Sequence, residues 1–144
     1  MAYLIQNYQQ GEKIIDEFSD NNHMFILMEG EVEIFTKKMN KKLVLGTIRA
    51  NETEKPFIGE MAMLFNIKRT ANVSCKTDCK VLIIKNEEDL INFFKKSPKF
   101  ALYCFKELSN RLYNTTRKFL QNEDNLDYLK IQLSQKKNIH KYKI

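Results

Sequence analysis

The spacing of apolar residues changes once along this chain, at Asn86, and that change limits the fold more than any other feature. Before it, from Glu12 to about Lys85, apolar residues come in short runs separated by turn chemistry, at residues 13–18, 24–28, 32–35, 43–48, 70–75 and 80–85. SDNN at 19–22, Glu29-Gly30-Glu31 and Thr77-Asp78 supply turns, residues 36–42 read as an exposed polar hairpin tip, and 49–56 as a polar loop. Many short strands so closely spaced build a sandwich or barrel. After Asn86 the spacing is helical. Asn86 and the acidic Glu87, Glu88 and Asp89 open a helix ending near Lys96, and Ser97-Pro98 opens a second one.

The second helix is long, because residues 99–144 contain neither Gly nor Pro. Ala101, Phe105, Leu108, Leu112, Thr115, Phe119, Asn122, Leu126, Leu129 and Leu133 alternate at intervals of four and three, a heptad seam with Thr115 and Asn122 as its polar members. The part before about Leu112 is expected to lie on the β domain. Beyond it no chain remains to cover the seam, so a second copy of the same helix is the expected cover. The expected organisation is residues 1–96 as a β domain with its first helix, 97–137 as the long helix, and 138–144 as a basic tail.

Charge is distributed unevenly. Residues 1–89 carry a net charge of −2 and residues 90–144 carry +8, so the basic excess is C-terminal and spread along a helix face. A nucleic-acid-binding regulator using that half is one reading of it. Cys75, Cys79 and Cys104 have neither an even count nor the close pairing of a zinc or redox site, and read as buried free thiols in a reducing compartment. Two histidines, His23 and His140, are too few for a metal-dependent, cupin-like enzyme or a nucleophile relay. No run of apolar residues is long enough to cross a bilayer, and no signal-like N-terminus is present, which places the chain in the cytoplasm with no membrane partner. Nothing points to catalysis, and the chain is read as a non-enzyme.

The informative string is FIGEMAMLFNIKRTANV, residues 57–73. Gly59 admits a ligand close to the main chain, and Glu60 opens a short helical turn whose first N–H groups are unpaired. Arg69, entering the next strand, offers a planar fork of donors to a phosphate. Glu60 would repel that phosphate and suits a neutral hydroxyl beside it. One phosphate charge, one arginine and one hydroxyl-binding glutamate describe a small nucleotide.

The run from Gly59 to Ala71 resembles the phosphate-binding cassette of the cyclic nucleotide-binding domain family: Phe, Gly, Glu, an apolar residue, Ala, two apolar residues, a short loop, then Arg, Ser/Thr/Ala and Ala. Residues 11–15, 24–34 and 77–81 extend the resemblance over nearly the whole chain. It implies a mainly β fold with flanking helices, an antiparallel β-roll of jelly-roll kind with a short phosphate-binding helix and a long C-terminal helix. It also implies that Glu60 takes the ribose 2′-hydroxyl and Arg69 the cyclic phosphate, with Gly59, Met61, Ala62, Thr70 and Ala71 completing the site and the N–H groups near Ala62 and of Thr70 donating. No metal or resident cofactor is implied.

Thr70 fits members that contact guanine and members that prefer cAMP, and does not choose between them. RLYNTT at 111–116 resembles the stretch of the bacterial activators of the family that contacts adenine across a dimer, which makes Thr115 and Thr116 candidate purine contacts and favours cAMP over cGMP. The bundle that often precedes the roll is reduced to residues such as Tyr3, Leu4 and Ile5, and residues 52–56 replace the usual glycine turn. Only some ten residues follow the seam, too few for a helix-turn-helix. The expectation is a stand-alone sensor, a homodimer through its C-terminal helix, acting on a separate protein effector. An inert β-roll interaction module is the alternative.

Overall fold

The computed structural model describes residues 3–134. Eight strands form two antiparallel four-stranded sheets: β1 (Leu4–Tyr8), β2 (Lys13–Ile15), β3 (Met24–Glu29), β4 (Glu31–Lys38), β5 (Lys41–Arg49), β6 (Phe57–Ile58), β7 (Asn72–Cys75) and β8 (Cys79–Ile84). Three helices accompany them: α1 (Glu60–Phe65), α2 (Glu87–Lys96) and α3 (Pro98–Ser134). One sheet runs β1-β8-β3-β6 and the other β2-β7-β4-β5, so neighbours in the sheet are mostly distant in sequence. This is the expected β-roll with helices. The chain divides into two compact units after Ser97.

The roll is held by side chains alternating inward from both sheets. Phe25 and Leu27, Val32, Val73 and Cys75, and Cys79, Val81 and Ile83 meet Ile15 and Ile58 in one buried cluster. Each strand contributes every second residue because the pleat sends alternate side chains to opposite faces. Gly30, at φ 100°, turns β3 into β4; a Cβ there would come within 2.4 Å of the Asp78 carbonyl oxygen and 2.7 Å of Cys79 Sγ. The turn needs both the left-handed backbone and the missing side chain.

Three expectations change. Tyr3, Leu4 and Ile5 are no remnant of a helical bundle: Leu4–Tyr8 is an edge strand paired with β8 from Leu4↔Ile83 to Tyr8↔Cys79. The seven-residue polar tip is a two-residue turn, Met39-Asn40, because the flanking lysines pair across the hairpin as strand. The strand expected from residue 70 begins at Asn72, which leaves Arg69 in the preceding loop. The Asn86 cap forms as the sequence implies, with Oδ1 accepting from Asp89 N at 2.9 Å. The tail at 138–144 and the helix residues expected at 135–137 lie outside the described residues.

Candidate functional site

The site begins where β6 leaves the sheet. Phe57 and Ile58 are buried against β3, and the next residue, Gly59, takes φ 80° as the N-cap of α1. A Cβ on Gly59 would lie 2.6 Å from Arg69 Nη1 and 3.0 Å from the His23 carbonyl oxygen, so only glycine leaves room for the arginine. Glu60 opens the helix. Ala62 and Met63 turn inward and Met61, Leu64 and Phe65 outward, until Asn66 ends the helix in a left-handed conformation at φ 50°.

The chain then returns with Arg69 against the loop after β2. Phe18 N donates to the Arg69 carbonyl at 3.0 Å, and Arg69 N reaches Ser19 O at 3.5 Å. These bonds aim the side chain inward. The residue is only 4% exposed. Its Nη1 donates to the Gly59 carbonyl at 2.9 Å, and Nη2 donates to the His23 carbonyl and reaches Asn21 Oδ1 at 3.4 Å. The guanidinium carbon lies 5.8 Å from the centre of the Phe25 ring. All these acceptors are uncharged, and the buried Nε has no hydrogen-bond partner. Burial pushes the guanidinium pKa down, and the Glu60 carboxylate partly opposes that shift. A cavity of about 150 Å³ borders the arginine, lined by Ile14, Ile15, Asp16, Ser19 and Asn21. A desolvated cation held on neutral oxygens, with its Nε–H unpaired, is chemically suited to accept an anion.

The loop that carries these oxygens is itself fixed. Glu17 accepts from the Thr36 hydroxyl, from Asn72 Nδ2 at 3.0 Å and from Lys37 N at 3.3 Å, while its own N–H donates to Asn72 Oδ1 at 2.9 Å. The Thr36 bond is the main reason that the Glu17 carboxyl lies below its ordinary pKa. Asn72 is thus buried and satisfied at the foot of β7, just after the arginine segment.

The sequence model of the cyclic nucleotide-binding domain matches residues 5–97. The chain belongs to that family. Human cGMP-dependent protein kinase 2 is 35% identical over 83 residues, 57% of this chain and 10% of that protein. The chain thus spans about a tenth of the length of the curated relatives it matches. Among solved structures, cAMP-bound PfPKA-R is 33% identical with a TM-score of 0.55, over 63% of this chain and 31% of that one. The Thermus thermophilus catabolite activator protein shares the fold at a TM-score of 0.64 and 20% identity, covering 89% of this chain and 55% of that one.

Within the cyclic nucleotide-binding domain the structure brings Gly59 and Glu60 together with Arg69, with Ala62 buried and Met61 exposed on the same short helix. Thr70 is exposed and Ala71 half-buried, both in the loop between Arg69 and β7. Thr115 and Thr116 lie on α3, in the second compact unit, and are exposed. The sequence reading missed the residues that hold the arginine: the carbonyl of His23, the amide of Asn21 and the ring of Phe25. Asn21-Asn22 was legible as a turn, but a main-chain carbonyl carries no residue signature. Burial, Lys85 and Arg69 together push the His23 pKa down. Among the described residues no cluster of His, Cys, Asp and Glu is placed to hold a metal ion, and no helix is long and apolar enough to cross a membrane.

Proposed function

We propose that the chain senses a cyclic nucleotide, cAMP, with Arg69 holding the cyclic phosphate and Glu60 the ribose 2′-hydroxyl. The observation that carries this reading is the buried arginine fork on the Gly59 and His23 carbonyls, with its Nε unpartnered beside the opening of α1. A cyclic phosphate would bring a second anion to this cation, which the Glu60 carboxylate already influences. Glu60, one residue after Gly59, suits a neutral hydroxyl next to that phosphate. Gly59, Met61, Ala62, Thr70 and Ala71 would surround the rest of the ligand, with the N–H groups near Ala62 and of Thr70 as further donors. Nothing in this arrangement activates a nucleophile, so the output is a change of shape. Ligand would favour one position of α3, a second copy would pack on its heptad seam, and a separate protein would read the state produced.

The adenine preference rests on Thr115, whose place on the seam would bring it beside a ligand in a dimer, with Thr116 next to it in sequence, and on the cAMP in PfPKA-R. A second reading, cGMP, is favoured by the identity to a cGMP-dependent kinase, and the exposed Thr70 hydroxyl next to Arg69 is compatible with it. Calorimetric titration with cAMP and with cGMP, with the mass in solution measured free and bound, tests all of this. Tighter cAMP binding by a dimer is expected. Tighter cGMP binding would transfer the reading to cGMP, a monomer at every concentration would remove the seam, and no heat with either nucleotide would leave an inert roll.

A further inference from the structure

The β4–β5 hairpin carries a feature that nucleotide binding does not use. Its tip reads Lys37, Lys38, Met39, Asn40, Lys41, Lys42, four positive charges on six residues, in a segment 1–89 whose net charge is −2. The register sets Lys37 opposite Lys42 and Lys38 opposite Lys41. Like charges facing across a hairpin repel, so two such pairs stacked at one tip weaken it. Lys42 is turned back onto Glu33 and over the Phe35 ring, 4.5 Å from its centre. The ammonium groups of Lys38 and Lys41 have no such carboxylate among the described residues.

The turn between them is also costly. Met39 and Asn40 both take left-handed backbone, at φ 50° and 60°, as a two-residue hairpin turn requires. Asn suits that conformation and Met does not. Yet Met39 is 97% exposed and rests on nothing. Leu43, Val44 and Leu45 follow it, each about half exposed, on the outermost strand of its sheet. Leu43 pairs with Thr36, so it shares a hairpin face with Lys38 and Lys41.

We propose that this hairpin docks on an anionic lipid surface, with the lysines over headgroup phosphates and Met39 and Leu43 entering the interface. Charge complementarity selects the occupant. Lysine is a strongly hydrated point charge, suited to a diffuse negative surface, whereas specific phosphate recognition in nucleic acid draws on the arginine fork, and the tip has no arginine. An unbranched apolar side chain at the extremity of a basic finger suits burial at the boundary between headgroups and acyl chains.

The test is flotation of the whole chain with vesicles of phosphatidylcholine alone and with phosphatidylserine added. Binding to the anionic vesicles is expected to fall at least about tenfold in Lys38→Gln/Lys41→Gln. A control of equal charge change on α3, Lys106→Gln/Lys118→Gln, is expected to stay within about twofold of the parent. Met39→Asn keeps every charge, suits the left-handed turn, and is expected to weaken vesicle binding while the thermal midpoint holds or rises. Equal losses in the two lysine pairs would assign the binding to overall charge and overturn the proposal, as would an unaffected Met39→Asn. Binding of a single-stranded oligonucleotide through these lysines, with none to vesicles, would overturn it in favour of nucleic acid.

Discussion

Replacing Arg69 separates its packing role in the structure from the phosphate-binding role proposed for it. The guanidinium bridges the Gly59 and His23 carbonyls, with Asn21 at the margin of hydrogen-bond reach. Arg69→Ala leaves those two buried oxygens unpaired, at about 1–3 kcal/mol each, but also removes a cation whose lowered pKa marks the burial as unfavourable. The two terms oppose each other, so the net loss of stability is expected to be modest, about 1–2 kcal/mol. Nothing offsets the loss to ligand. A desolvated cyclic phosphate without its cation should bind weaker by at least ~2 kcal/mol, about thirtyfold in Kd. Arg69→Lys keeps the charge but cannot hold two carbonyls and a phosphate from one planar fork, and should fall between the parent and the alanine variant. Urea denaturation gives the stability and titration calorimetry the affinity. A folded Arg69→Ala protein that binds the nucleotide as tightly as the parent would refute the site.

Other outcomes follow from single contacts. His23 has a folded pKa below its ordinary value, so its neutral form is favoured by folding; stability should be complete above about pH 7 and fall as pH drops through the ordinary histidine range toward the lowered value, a slope that His23→Gln should flatten in urea midpoints. Asn86→Ala removes the acceptor of Asp89 N and should cost about 1 kcal/mol in the same assay, an undetectable change meaning that the acidic first turn holds α2 without its cap. Thr115→Ala should weaken cAMP relative to cGMP by about fivefold, the worth of one hydrogen bond; an unchanged ratio would remove the case for an adenine contact.

How far the sequence reached depended on whether a feature was written in residue types or in their meeting. Gly30 and the Asn86 cap were legible because each motif is complete within a few neighbouring residues. Alternation within a strand was legible too, but not the partner of each strand. Leu4–Tyr8 has little inward-facing surface of its own, with four of its five residues exposed, and is a strand because β8 offers it a free edge. The hairpin tip was misjudged for a related reason: four lysines look like loop, and only cross-strand pairing reveals them as strand ends.

The cassette divides in the same way. Gly59, Glu60 and Arg69 announce themselves by type and spacing, and the family followed from them. What holds the Arg69 guanidinium in place lies elsewhere in the chain: the carbonyls of Gly59 and His23 and the amide of Asn21, up to 48 residues away. A side chain's identity is local, so the sequence by itself determined which charges and glycines the site contains, the strand-to-helix change at Asn86 and the two helices that follow it. The desolvation of a charge and the satisfaction of its donors depend on every atom packed around it. Those the tertiary structure alone decided, by closing two sheets and the loop after β2 around one arginine.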